Sequence, residues 1–432
     1  MEKRCYNKQA MLTSSSFKIY SGDRDGIMNI FLLLAIAMAL IIILLRRHVP
    51  IGPCMLVGGL FIWAMKTPNL HYLWQGFAET LTMSRTYDIL FALYFVMCLE
   101  IELRTSGALA GMVHALQRIF SSTKVTLAVM PAFLGLLPSL GGARFSAPIV
   151  EEASKELLLT QEHRAAINFW FRHIFEFSSP IIPGMIMACN IAGVSYSDFI
   201  MHLCWLTILA FVAGWLVLIT PIKTDGLTGF QEDKLEQAQN TQDLWLSLSP
   251  VVLTFVLVVF CNMNASVGMG VVTVGLFFVL RFTKRFVSLK EVVLGALDWK
   301  MFFNVLCILY FIQILTVTNV LQEIVTAFQS SPLPVPVIIG CVSFIIGVLT
   351  GMSQGHVAIV MPIVAAMATG NLNLAGVAMA FGVAGQMLTP THMCLVVTVD
   401  YFKSNFFKTL QPILLCEILI LTVFSVYSYF TW

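Results

Sequence analysis

Long apolar runs separated by short polar breaks dominate the chain, at roughly 28–45, 51–65, 88–104, 125–142, 166–192, 198–220, 246–262, 265–282, 300–321, 336–350, 374–400 and 408–431. Several approach or exceed the ~18–20 residues a helix needs to cross a bilayer. The short alternating strands of a membrane barrel are absent. The pattern predicts an all-α polytopic membrane protein. Residues 221–245, opening "PIKTDGLTGFQEDKLEQAQ", form the one long hydrophilic internal stretch and split the chain into nearly equal halves.

The halves resemble each other. "GGLFIWAMKT" at 58–67 lies over "VGLFFVLRFT" at 274–283, and "LYF" at 93–95 over "LYF" at 309–311, both offset by 216. "FLGLLPSLGG" at 133–142 lies over "IIGVLTGMSQG" at 345–355 with an offset near 212. Each match is weak alone, but in order they indicate an internal duplication. In each half one segment consists of two apolar arms joined by a Gly-rich polar tip, at 125–155 and 336–368. Such a segment is expected to enter and leave by one side as a re-entrant hairpin. About ten transmembrane helices then remain, five per half, and an odd number inverts the second half relative to the first.

Charge placement agrees. With the first helix running inward, 17 Lys and Arg residues fall inside, and beyond the N-terminal segment only Lys66 and Arg85 fall outside, as the positive-inside rule requires. Both termini are then extracytoplasmic. The expected organisation is a polar tail (1–27), disordered or the product of an over-long gene prediction; a first repeat (28–220) with hairpin 125–155 and broken helix 166–192; a cytoplasmic linker (221–245); and a second repeat (246–432) with hairpin 336–368 and broken helix 374–400.

Composition narrows the function classes. The chain is 58% hydrophobic and 11% charged, with a mean hydropathy of +0.86, against about 25% charged in soluble domains. A net charge of +2 gives no reason to expect a nucleic-acid partner; the lipid bilayer is the partner the sequence implies. The ten cysteines show no CxxC spacing, so neither a metal site nor a disulfide framework is expected, and no cofactor.

The candidate chemistry lies where apolar runs are interrupted. "NFWFRHIFEFSSPIIPG" at 168–184 places Asn168, Arg172 and Glu176 four residues apart, on one face if the segment is helical, with Ser179 continuing the stripe. A charge in the bilayer centre costs about 2.5–3.5 kcal/mol on insertion scales, so these groups need a reason to be there. One reading is an i,i+4 ion pair that holds the helix against its neighbours. The other follows from Pro180 and Pro183, which lack N–H groups and free carbonyls that must face protein or a wet cavity. In the second half Pro390 interrupts "GQMLTPTHMCLVVTVDYF" in the same way, beside Gln386, Thr389, Thr391 and His392. Paired broken helices are where secondary transporters bind solutes.

The hairpin tips add Ser139, Gly141 and Gly142 from the first, and Ser353, Gln354, Gly355 and His356 from the second. A small anion is expected to meet Ser139, Gly141, Gly142, Asn168, Arg172, Ser353, Gln354, Gly355, Thr391 and His392. A coupling cation is expected at His173, Glu176, Ser178, Ser179, His356 and Thr389: carbonyls and hydroxyls for Na⁺, imidazole and carboxylate for H⁺, with a lean towards protons. Glu100 and Glu417 are further candidates for proton relay without a local motif, and Glu102 is expected to reach the interface beside Arg104.

"LPSLGGARFSAP", "NFWFRHIFE", "SPIIPG" and "LTPTHMCLVVTVDYF" together resemble the domain of unknown function 401 family. The resemblance covers nearly the whole chain from Met28. It implies a prokaryotic integral protein of the cell (inner) membrane within the ion transporter superfamily, distantly like gluconate, citrate and dicarboxylate carriers. It also implies a homodimer with a scaffold domain and a moving transport domain, of elevator type. The Ser-Asn-Thr hairpin motif of sodium–dicarboxylate carriers is missing; the tips read "SLGG" and "MSQG". The expected function is a secondary active transporter of a small organic anion, a carboxylate by preference, coupled to H⁺ or Na⁺, and not an enzyme. The alternatives are a membrane-embedded metal or acid–base enzyme using the Arg-His-Glu cluster, and an anion channel on the same scaffold.

Overall fold

A computed structural model describes residues 30–47, 49–119, 122–136, 143–155, 157–223 and 234–432. The tail 1–27, part of the linker (224–233), and the tip residues Ser139, Gly141 and Gly142 lie outside the described residues. The described chain is helical throughout, and it is a multi-pass membrane protein. Among the described residues five helices are long and apolar enough to cross a bilayer: Tyr196–Ile219, Thr241–Phe260, Ala265–Phe282, Leu289–Val317 and Phe406–Thr431. The other segments expected to cross are shorter, interrupted or more charged.

The first half runs α1 (Ile30–Arg46), α2 (Ile51–Lys66), α3 (Leu70–Thr82), α4 (Ser84–Thr105), α5 (Ala108–Ile119), α6 (Thr123–Leu136), α7 (Ala143–Ala153), α8 (Gln161–Arg172), α9 (Pro183–Ala192) and α10 (Tyr196–Gly214). The second runs α11 (Lys234–Phe255), α12 (Ala265–Phe282), α13 (Leu289–Gly295), α14 (Trp299–Val317), α15 (Val320–Gln329), α16 (Val335–Thr350), α17 (Ser353–Ala368), α18 (Leu372–Met387), α19 (Met393–Phe402) and α20 (Phe406–Thr431). Among the described residues each series has ten α-helices, and two packing pairs match between them: α2 lies on α14 as α12 lies on α4, and α6 lies on α8 as α16 lies on α18.

Four short helices, α3, α5, α13 and α15, were not expected from the apolar runs. In α3 the exposed residues Leu70, Trp74, Phe77 and Leu81 recur at helical spacing, and the intervening polar residues keep any run from forming. A short helix with one apolar face and aromatic residues suits the plane of the membrane interface. The linker reading also needs correction: α11 begins at Lys234, so the second part of 221–245 is helical.

That early start has a purpose in the packing. Asp243 on α11 is buried and makes an ion pair with Arg285, in the loop after α12. Arg285 also donates from Nη1 to the Ser106 carbonyl at 2.9 Å, at the end of α4. Removing one partner of a buried pair strands the other charge, at a cost of about 3–5 kcal/mol. Asp243→Ala is therefore expected to lower thermal stability by several degrees, read by thermal unfolding in detergent, whereas Lys155→Ala, which loses only the exposed Lys155–Glu152 pair, should leave it unchanged.

The acidic residues of α4 also differ from expectation. Glu100, one turn before Arg104, pairs with it at 3.2 Å, while Glu102 is buried with Oε2 unpartnered. An i,i+4 spacing places side chains over one another; i,i+2 does not.

Candidate functional site

Both broken helices are present, and the first breaks earlier than its prolines suggest. Thr160 caps α8 by accepting the His163 N–H, and the helix ends at Arg172. A 3₁₀ turn, Ile174–Phe177, follows, and the chain stays non-α-helical until Pro183 opens α9 as its first residue. Pro183 thus starts a helix, where its missing N–H costs nothing. The expected continuous face Asn168–Arg172–Glu176–Ser179 is interrupted after Arg172, so the i,i+4 helical pairing of Arg172 with Glu176 has no helix to rest on.

Two histidines complete the breaks by the same device. The His173 backbone N–H turns to the Trp170 carbonyl, in 3₁₀ fashion, and its ring Nδ1 lies 2.7 Å from the Phe169 carbonyl left behind. In the second half α18 ends at Met387 and α19 starts at Met393. Pro390 frees the Gln386 carbonyl, and His392 Nδ1 lies 2.9 Å from it. A carbonyl deprived of its helical N–H in a dry interior needs such a partner.

The breaks meet. The His173 and His392 rings stack edge to face with centroids 4.8 Å apart, and Phe169 packs on both. Asn168 Nδ2 donates to Thr398 Oγ1 at 3.2 Å, tying α8 to α19. Arg172 is 8% exposed. Its Nη1 reaches the Leu134 carbonyl of the first hairpin at 3.4 Å, and its guanidinium lies against the Cys394 thiol. One group of side chains therefore draws on α6, α8 and α19.

The second hairpin closes on the same place. Gly351, at φ +66°, ends α16 in the left-handed region; a Cβ there would press on Thr391 and lie 2.8 Å from the His392 nitrogen. Gly184, in the first turn of α9, sits so close to the first turn of α17 that its Cβ would lie 2.5 Å from Ser353 Cβ. The N-termini of α9 and α17 thus adjoin, and both carry positive partial charge. Glu176 stands there, facing Ser353 and Gln386, with Oε2 buried and unpartnered. Further buried atoms on these segments are unpartnered, namely Asn168 Oδ1, Ser179 Oγ and Gln386 Oε1, while the fully buried His356, with both ring nitrogens unpartnered, packs against Gly382 of α18. Buried polar atoms are normally paired, so these call for a ligand or water.

The sequence-derived residues divide accordingly. Asn168, Arg172, His173, Glu176, Ser353, Thr391 and His392 are brought together. Ser178 is turned aside, with Oγ 2.7 Å from Thr207 Oγ1 on α10. Gly355 packs under Thr350 of its own hairpin, and Gln354 is half-buried in the same turn. Thr389 and Thr391 bond each other at 3.0 Å across Pro390. Sequence reasoning passed over Gln386, Thr398 and Cys394 as site residues, because their relevance depends on partners some 210–230 positions away. Glu417 of α20 is buried with Oε2 unpartnered. It shares a cavity of about 10 Å³ with Trp170 and His173, room for about one water.

A family model described as "Protein of unknown function (DUF401)" matches residues 28–429. In fold the chain is similar to the Alcanivorax borkumensis YdaH transporter, whose crystal structure is described as revealing an unusual topology. The TM-score is 0.58 at 12% identity, over 85% of this chain and 90% of that one. No curated protein matches the chain in sequence.

Proposed function

The chain belongs to the DUF401 family, and from that premise we propose that it is a secondary active transporter of a small organic anion, a carboxylate by preference, driven by protons through alternating access. The observation that carries the proposal is the meeting of two helix breaks with the second hairpin turn around Arg172, His173, Glu176 and His392. A site of that kind near the middle of a bundle is how secondary carriers hold a solute. The similarity in fold to a chain described as a transporter supports the same class.

In this reading Arg172 balances the substrate's negative charge, and Asn168, Thr391 and the first hairpin tip complete its cradle. Glu176, lying between two helix N-termini, takes up the coupling proton, with His173, His356 and His392 as further carriers. The matching series of ten helices form inverted repeats with about ten crossings and two opposed hairpins. The hairpins and broken helices move together as the transport unit against α1–α4 and α11–α14, within a homodimer. Both termini lie on the extracytoplasmic side of a prokaryotic cell membrane, and the protein sits within the ion transporter superfamily. Catalysis is not part of this reading.

A thermal-shift screen of organic anions on purified protein, followed by uptake of each hit into proteoliposomes, tests the function. Uptake should fall when the pH gradient is collapsed and persist when Na⁺ is replaced. Uptake that follows Na⁺ instead would move the coupling to the carbonyls and hydroxyls at Ser179 and Thr389. Trans-stimulation by internal substrate distinguishes a carrier from a channel. Glu176→Gln is expected to retain counterflow while losing proton-driven accumulation, since it keeps shape and hydrogen bonding but no longer exchanges a proton at that position. Full accumulation by this variant would clear Glu176 of the coupling role.

A further inference from the structure

We propose that His173, His392 and Cys394 form a three-ligand site for a borderline-soft metal ion of the zinc class, with a fourth position left open. Candidate ligand atoms of the three side chains lie within 4.8 Å of one another. A tetrahedral ion with bonds of about 2.0–2.3 Å needs ligands roughly 3.3–3.7 Å apart, so the site closes by about 1 Å on loading. Each imidazole places Nδ1 on a backbone carbonyl, Phe169 for His173 and Gln386 for His392, which selects the tautomer with an N–H at Nδ1 and leaves Nε2 as the lone-pair donor. This is the outer-shell arrangement by which proteins aim metal-binding histidines. Two imidazoles and a thiolate suit zinc, or copper in its reduced state, over magnesium or calcium.

The expectation of no metal site rested on spacing along the chain. His173 and the His392/Cys394 pair are more than 200 residues apart, and only the meeting of the two breaks assembles the set. Loading is balanced as a ligand exchange: Cys394 gives its thiol proton to solvent as the metal–sulfur bond forms. The thiolate then exchanges its contact with the Arg172 guanidinium for the metal, while Arg172 keeps the Leu134 carbonyl within reach. Binding is read on the purified protein, apart from transport; with the metal bound, His173 and His392 no longer carry protons, and Glu176 and His356 remain to do so.

The test is titration of the full chain, purified in detergent and stripped with chelator, with Co²⁺ under anaerobic conditions. The expected result is saturation at one equivalent, with thiolate-to-cobalt charge-transfer absorption and visible bands of tetrahedral intensity, both erased by one equivalent of Zn²⁺. Cys394→Ser should remove the charge-transfer band. His173→Gln and His392→Gln should each weaken binding by about tenfold or more. Cys341→Ser, at an exposed position on α16, should titrate as the parent protein does. Charge-transfer absorption that survives in Cys394→Ser, or no saturable absorption in the parent protein, overturns the site. Should one substituted chain fail to elute as a monodisperse species, the other two ligand variants decide by the same readout.

Discussion

Arg172→Gln is expected to abolish substrate uptake while leaving a folded, monodisperse protein. Glutamine retains a donor that can turn to the Leu134 carbonyl, which Arg172 now reaches, so the packing between α6 and α8 has a replacement. The fixed positive charge has none. A hydrogen bond to a charged partner is worth about 1.5–3 kcal/mol, and about 1.4 kcal/mol is tenfold in affinity. One lost contact thus weakens anion binding by about 10–150-fold, and a bidentate contact by more. Arg172→Lys should recover only part of the loss, because an ammonium is a point charge and cannot reach the hairpin carbonyl and an anion in fork geometry. Uptake in proteoliposomes and thermal unfolding, measured side by side, separate the two outcomes. Normal uptake by Arg172→Gln would return the residue to a structural role.

Gly351→Ala should be nearly as damaging, for a reason of shape. Gly351 adopts φ +66° at the turn between α16 and α17, and a side chain in that region costs about 1–2 kcal/mol. Gly107 shares the strain, at φ +75°, but the nearest atom to its Cβ would be Arg285 Nη1 at 3.8 Å. Alanine at 351 is therefore expected to lower thermal stability by more than alanine at 107. Only at 351 does the added methyl also meet Thr391 and the backbone of His392, pushing the hairpin turn off the second break. Uptake should be lost in Gly351→Ala and retained in Gly107→Ala. Equal uptake by the two variants would show that close seating of the hairpin is not required.

The sequence carried the class of the molecule and the addresses of its interruptions. Apolar runs, the turn at Gly351 and the Pro390 break were legible, because a bilayer forbids unpaired backbone and so restricts what a polar or proline residue in such a run can mean. The carbonyl that Pro390 frees was also legible, at Gln386, by counting back four residues. The helices α3, α5, α13 and α15 were not legible as runs, since an interfacial helix spreads its apolar residues around a 3.6-residue period. The place where α8 ends was not legible either. Its prolines stand at 180 and 183, yet the helix stops at Arg172, because His173 supplies a side-chain partner for the carbonyl of Phe169 and lets the turn tighten there.

By itself, then, the sequence determined that this is a helical membrane chain with an interrupted apolar run in each half, at 168–184 and at 385–392. Those are properties of local runs and local bonding, set within about twenty residues of one another. Only the tertiary structure decided which groups share a site: Arg172 with Cys394, Glu176 with Ser353 and Gln386, and His173 with His392. Those pairings depend on how two remote breaks pack, and packing is set by surfaces such as the glycine contacts at 184 and 351, whose partners no local pattern names.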